Sequence, residues 1–117
     1  MSLSRLNSLL SNLAAILRKE MKNEDTIHLY CIGNYWVAFE QSAYLLSRLS
    51  ADIQTMAMQP MAHPFPVVMT TITESALQTI KRTLKTKTPD YKILTTTPLA
   101  QPSYTRWHRK ECKYLMK

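Results

Sequence analysis

The stretch CIGNYWVAFEQSAYLLSRL, residues 31–49, holds the only glycine of the chain and one of its two tryptophans. A Gly-Asn pair between two apolar runs is typical of a two-residue β-hairpin turn, because glycine readily adopts the positive φ that such a turn requires. The sequence therefore predicts a tight turn at Gly33 and Asn34, with Tyr35 and Trp36 directly behind it. Whether these two rings belong to the core or to a contact surface decides how the function is interpreted.

The segments on either side of this turn have a period of two. TIHLYCI, residues 26–32, places apolar side chains on both faces, which predicts a central strand that is covered on both sides. YWVAFE, residues 35–40, is the expected partner strand. EQSAYLLSRLS, residues 40–50, returns to helical spacing.

The N-terminal residues 4–22 predict an amphipathic helix, because leucines follow one another at steps of three and four. Two interpretations of this stripe remain open. The helix either packs on the sheet of its own domain or pairs with a partner helix, as in a homodimer. The stripe consists of Leu3, Leu6, Leu10, Leu13 and Leu17.

The second half of the chain predicts short strands near residues 53–58 and 67–69 and another at 91–97. A helix capped by Thr73 is expected over residues 74–86, with Lys81, Arg82 and Lys85 outward. The last residues form either a short helix from Thr105 or a mobile tail. The fold class is therefore α/β, a small mixed sheet with helices packed on it.

Three parts of the chain are expected from this order of elements. Residues 1–22 form the N-terminal amphipathic helix, residues 23–98 form the α/β domain, and residues 99–117 form a basic C-terminal segment. The length suits a single core without metal or disulfide bonds.

Positive charge is concentrated at the C-terminal end. Residues 1–80 carry five Lys/Arg and six Asp/Glu, a net charge of −1, whereas residues 81–117 carry ten Lys/Arg and two Asp/Glu, a net charge of +8. Such an asymmetry indicates an anionic partner, usually nucleic acid, or else a solvated basic face. No apolar run is long enough to span a bilayer, and two cysteines suit a reducing cytoplasm.

Catalytic motifs are lacking. A single glycine excludes the glycine-rich loops of dinucleotide-binding and Walker A sites. His108 and Cys112 are spaced as two ligands on one helical face, which is too few for a zinc site. Cys31 at an inward strand position is expected to be inert. We therefore expect no enzyme, no cofactor, no metal and no small-molecule substrate.

Aromatic residues next to basic ones form the remaining pattern. Tyr35, Trp36, Tyr104 and Trp107 lie near a turn or among arginines, as in stacking platforms for unpaired bases. For Trp36 a place in the core is the alternative interpretation, and Trp107 is expected to be the exposed ring.

The residues quoted above resemble the N-terminal mismatch-recognition domain of the MutS DNA repair proteins. Residues 32–49 are similar to its strand, turn and helix, with Tyr35 at the position of the wedge phenylalanine. QPMAHPFP, residues 59–66, resembles its Pro-Met-Ala-Gly segment, while residues 73–84 and 91–98 resemble its next helix and strand. The similarity covers roughly residues 25–98.

This resemblance implies a DNA-binding fold in which Tyr35 stacks against a base. The family pairs its wedge with a glutamate, and Val37 stands at that position here. A valine side chain cannot accept a hydrogen bond, so the resemblance leaves open whether mismatch selectivity is retained.

The hypothesis from sequence is a non-enzymatic nucleic-acid-binding domain, with DNA favoured over RNA. The alternative is an interaction module that dimerises through its first helix and does not bind DNA. Base stacking is assigned to Tyr35, Trp36 and Trp107. Phosphate contacts are assigned to Lys81, Arg82, Lys85, Lys87, Arg106, Arg109 and Lys110.

Overall fold

The computed structural model describes residues 3–60, 63–80, 84–113 and 115 of the 117-residue chain. Its helices are α1 (Leu3–Ser11), α2 (Leu13–Met21), α3 (Glu40–Ser47), α4 (Glu74–Gln78) and α5 (Gln101–Glu111). Its strands are β1 (Thr26–Cys31), β2 (Tyr35–Phe39), β3 (Gln54–Met58), β4 (Val67–Thr73), β5 (Lys85–Thr88) and β6 (Tyr91–Thr95).

The six strands form one sheet in the order β3-β4-β2-β1-β6-β5. Every neighbouring pair among these strands is antiparallel, where the sequence predicted a mixture of directions. The α/β class, with helices packed on a sheet and an amphipathic N-terminus, is confirmed.

The predicted hairpin lies at the centre of this sheet. Cys31 pairs with Trp36, and the N–H of Ile32 donates to the carbonyl oxygen of Tyr35 at 2.9 Å. Between them Gly33 has φ 84°, a value that glycine adopts without the steric cost that a Cβ would bring. Residues 31–49 thus contain the turn that their Gly-Asn pair predicts.

Both faces of the sheet are covered, as the doubly apolar strand at residues 26–32 predicts. Helices α3, α4 and α5 lie on the first face and α1 and α2 on the second. The buried strand residues of the first face are Ile27, Leu29, Trp36, Ala38, Ile72 and Leu94. Those of the second face are Tyr30, Val37, Phe39, Val67 and Met69.

The N-terminal leucine stripe packs on the second face. Leu13 and Leu17 are buried against the sheet, while Leu6 and Leu10 are partly buried beside them. The side chain of Leu3 lies outside the described residues. Asn12 interrupts the predicted continuous helix, and its side-chain amide donates to the carbonyl oxygen of Ser8 at 3.1 Å.

The predicted helix over residues 74–86 is too long, and its residues 81–83 lie outside the described residues. Thr73 caps α4 as expected, since its hydroxyl accepts from the N–H of Ala76 at 3.1 Å. The helix ends at Gln78, and residues 85–88 instead form the edge strand β5. Alternating Thr and Lys suit an exposed strand, and pairing with β6 overrides the helical propensity of the lysines.

The C-terminal segment forms a helix that begins at Gln101, earlier than the predicted start at Thr105. Pro102 lies in its first turn, where the missing N–H of proline costs nothing. Of the two alternatives for this segment, the ordered helix is the one that the structure has.

Candidate nucleic-acid interface

Helix α5 presents one side to the protein and the other to solvent. Tyr104 and Cys112 are buried, and Trp107 is partly buried between Tyr104 and Tyr44 of α3. Ring centroids lie 5.3 Å apart for Tyr44 and Trp107 and 6.1 Å apart for Tyr104 and Trp107. This aromatic packing holds α5 on the first face and fixes which of its residues face outward.

The outward side of α5 is a stripe of positive charge. Arg106, Arg109 and Lys110 are exposed at steps of three and four, and exposed Lys113 follows in the turn after the helix. These four cations alone border a shallow depression of the surface. In the part of the chain that the structure describes, none of the four forms an ion pair with a carboxylate. We call these four residues the α5 stripe.

A carboxylate at the strand–helix junction anchors the inward side of α5. Nε2 of His108 donates to both carboxylate oxygens of Glu40, at 2.9 and 3.0 Å, and the Tyr104 hydroxyl lies 3.3 Å from Oε2. The N–H of Val68 also donates to Oε1 at 2.7 Å. Glu40 therefore links α5 to β4 and to the start of α3.

Glu40 has a strained backbone. Its φ is 52°, in the left-handed region that costs an L-residue about 1–2 kcal/mol. This conformation lets β2 pass into α3 without a loop. The carboxylate is thereby held close to His108, which pairs with it.

A second glutamate positions the start of α3. Phe39 precedes the helix and has no side-chain capping bond. Glu20 of α2 takes this role, since its carboxylate accepts from the N–H of Ser42 at 2.9 Å and from the Ser42 hydroxyl at 2.5 Å. Glu20 is 1% exposed, and desolvation raises the pKa of its carboxyl from 4.5 to about 7.

The tryptophan behind the turn belongs to the core. Trp36 is 5% exposed, its Nε1 donates to Oε2 of Glu74 at 2.5 Å, and Nζ of Lys92 lies 4.8 Å from its ring centroid. This burial favours the alternative interpretation, a place in the core, over base stacking.

The other predicted stacking residues, Tyr35 and Trp107, are partly buried. Tyr35 is partly buried in the second-face core, on the side of β2 opposite to α5. Trp107 is not the exposed ring that the sequence predicted, because Tyr44 and Tyr104 pack against it. The structure therefore does not bring Tyr35 together with the α5 stripe.

The predicted phosphate contacts divide into separate groups. Lys85 and Lys87 lie on β5, at one edge of the sheet, whereas α5 packs beside β3 at the other edge. Lys81 and Arg82 lie outside the described residues. Among the described members of this set, Arg106, Arg109 and Lys110 share the surface of α5.

The two cysteines differ in exposure and in their neighbours. Cys31 and His28 point to opposite faces of the sheet. Nδ1 of His28 lies 2.6 Å from the Tyr91 hydroxyl. Sγ of Cys112 lies 3.7 Å from Nδ1 of His108, yet Cys112 is 1% exposed and burial raises the pKa of its thiol. Within the described ranges, no cluster of three acidic, histidine or cysteine side chains could hold a metal ion.

The sequence predictions did not include Lys113 or the contact between Glu40 and His108. Lys113 continues the steps of the stripe at four residues from Arg109, so the same spacing that predicts the others identifies it. Glu40 and His108 are 68 residues apart, and no local pattern connects them.

No protein-family model, no curated protein and no solved structure matches the chain. The resemblance to the MutS mismatch-recognition domain therefore rests on the residues quoted above and stays a prediction. Among the described helices, none is both long and apolar enough to cross a membrane.

Proposed function

We propose that the chain is a non-enzymatic DNA-binding domain that contacts the phosphate backbone through the α5 stripe. The observation that carries this proposal is the arrangement of Arg106, Arg109, Lys110 and Lys113 on one exposed side, without a carboxylate partner in the described part of the chain. Cations left unpaired on one surface are suited to replace the counterions of a nucleic acid.

The dimensions of the stripe support this proposal. Arg106 and Lys113 are seven residues apart, which corresponds to about 10 Å along a helix. One strand of duplex DNA has a phosphate about every 3.4 Å of axis, so the stripe spans roughly three of them. Side chains on a rigidly packed helix also lose less entropy on binding than those on a loose tail.

Contacts to phosphates do not read the sequence of bases. Because Trp36 is buried and Tyr35 lies on the side of β2 opposite to α5, the proposal does not include the wedge that the MutS resemblance implies. We expect binding that depends steeply on salt and does not distinguish a mismatched from a matched duplex.

The test is fluorescence anisotropy of a labelled duplex over roughly 50–200 mM salt. Replacement of all four stripe residues by alanine should lower the slope of log K against log salt by about 3 to 4, since each phosphate contact contributes about 0.9. The matched control is Lys85→Ala with Lys87→Ala on β5, which removes charge from the far edge and should change the slope by less than about 1.

An unchanged slope in the fourfold variant would exclude the α5 stripe as the interface. A preference of the wild type for a mismatched duplex, lost in Tyr35→Ala, would instead restore the wedge that the sequence suggests.

The alternative, a homodimer through the first helix, has less support. Its leucine stripe covers the second face of the chain's own sheet, so pairing with a partner would expose Phe39 and Val67 beneath it. Analytical ultracentrifugation tests this alternative directly, and a stable dimer that dissociates in Leu6→Glu would favour it over the monomeric arrangement.

A further inference from the structure

The two outer strands of the sheet are protected to different degrees. The edge strand β5 has the sequence KTKT, is exposed throughout, and shifts register against β6 between Thr86 and Thr88. Lysines and irregular register are the usual means by which a protein keeps an edge strand from pairing with another chain. Strand β5 is therefore closed to strand addition.

The opposite edge strand, β3, has neither protection. Its sequence is QTMAM, without a charge, and it pairs with β4 in regular register from Gln54 opposite Thr71 to Met58 opposite Val67. No described strand pairs with its outer side. The outward N–H and C=O groups of β3 are thus available to a further strand.

A groove runs along this open edge. Its walls come from Thr55, Met56 and Ala57 on one side and from the end of α5 and the residues after it on the other. Leu115 is 45% exposed and provides apolar surface on the α5 side of the groove, while Met56, 54% exposed, provides apolar surface on the other face of β3. The remaining lining residues are Lys110, Glu111 and Lys113.

The charge of the groove favours an acidic occupant. The charged residues that line the groove are two exposed lysines, Lys110 and Lys113, and one carboxylate, Glu111. A second copy of this chain, paired edge to edge about a twofold axis, would bring the same lysines with it and add repulsion. An acidic segment would neutralise them.

We propose that β3 and the groove beside it form a docking site for an extended acidic peptide segment of another protein, which adds a strand to the sheet. This inference does not depend on DNA binding. Since Lys110 and Lys113 belong to both surfaces, an acidic strand and a phosphate backbone would compete for this end of α5.

The sheet geometry specifies the pattern of the peptide. Thr55 and Ala57 lie on the face that α5 covers, and Met56 lies on the opposite face. Successive side chains of an added strand point to alternate faces. Acidic residues should therefore face the lysines of α5, with apolar residues between them facing the side of Met56.

The test uses a fluorescein-labelled peptide of about ten residues that alternates valine and glutamate, with anisotropy as the readout. The wild type should bind it at least about tenfold more tightly than a peptide alternating valine and lysine. It should also bind at least about tenfold more tightly than the same glutamate peptide with every backbone nitrogen N-methylated, which cannot donate ladder hydrogen bonds.

Variants locate the binding on the protein. Met56→Asp places a charge against the apolar side of the added strand and should weaken binding by about tenfold. Thr86→Asp, the matched carboxylate on β5, should leave binding unchanged. Circular dichroism verifies that both variants are folded, and the N-methylated peptide tests strand pairing without any change to the protein.

Equal affinity for the N-methylated peptide would overturn the proposal, because binding would then be electrostatic only. Absence of binding would also overturn it. A concentration-dependent dimer that Met56→Asp abolishes, without peptide binding, would assign the edge to a second copy instead. Met56→Asp should leave the salt slope for DNA unchanged, so failure here and failure of the DNA proposal are distinguishable.

Discussion

Two carboxylates, those of Glu20 and Glu40, lie at the start of α3, and their surroundings differ. Glu20 arrives from α2, is fully buried, and accepts hydrogen bonds from the neutral groups of Ser42 and Asn23. Glu40 is the first residue of α3 and pairs with His108 at a partly exposed site. Hydrogen bonds to the Glu20 carboxylate lower its pKa, but desolvation raises it by more. A buried carboxylate therefore needs more than hydrogen bonds from neutral groups to keep its ordinary pKa.

The largest effect is expected from the titration of Glu20. Its pKa in the folded state is about 7 against 4.5 when unfolded, so the folded state retains a proton that the unfolded chain releases between these values. The contribution of Glu20 to the free energy of unfolding should therefore fall by about 3 kcal/mol as the pH rises from 4.5 through 7. Glu20→Gln removes this dependence, and urea denaturation over that pH range measures it.

The wild-type profile also contains a contribution of opposite sign. Burial and the nearby charge of Lys19 lower the pKa of His28 from 6.5 to about 4, so this residue makes stability fall as the pH decreases through that interval. Subtracting the profile of Glu20→Gln from that of the wild type isolates Glu20. A difference that stays flat with pH would contradict the role of desolvation.

A smaller loss is expected when Glu40 is replaced. Glu40→Ala leaves the N–H of Val68 and Nε2 of His108 without their acceptor, which should reduce the free energy of unfolding by about 2 kcal/mol. Because this change releases the inward side of α5, limited proteolysis should cleave within residues 101–111 sooner than in the wild type. Stability within about 0.5 kcal/mol of the wild type would refute the anchoring role.

The smallest effect separates backbone strain from the carboxylate. Glycine tolerates φ near 52° better than alanine, so Glu40→Gly should be more stable than Glu40→Ala by about 1 kcal/mol. In an unstrained helix glycine is the less stable of the two. Thermal denaturation of the two variants measures the difference, and alanine being the more stable would show that residue 40 is unstrained.

The centre of the fold was predictable because local chemistry determines it. A Gly-Asn turn and a period of two identify the β1–β2 hairpin, and apolar residues on both faces of residues 26–32 indicate that two helical layers cover it. Edge strand β5 was not predictable, since alternating Thr and Lys contain no apolar periodicity. Pairing with β6, which begins only three residues after β5 ends, makes it a strand.

The candidate site was predictable in part. The spacing of Arg106, Arg109 and Lys110 identifies one face of a helix, and Trp107, three residues after Tyr104, falls on the opposite, covered side. That outcome depends on Tyr44, which is brought to it by the packing of α3 against α5. Surface charge follows helical spacing, but the exposure of a ring depends on distant neighbours.

The central position of the Gly33 turn has a consequence for how the chain assembles. A hairpin with a two-residue loop forms in about 1–10 μs, well before distant segments meet. The strands that flank it arrive from far along the chain, as Phe39 pairs with Met69 and Ile27 with Leu94. Each must close a long loop first, at an entropic cost that grows with its length. We therefore expect the sheet to grow outward from its only glycine, with folding slowed wherever that turn is disturbed.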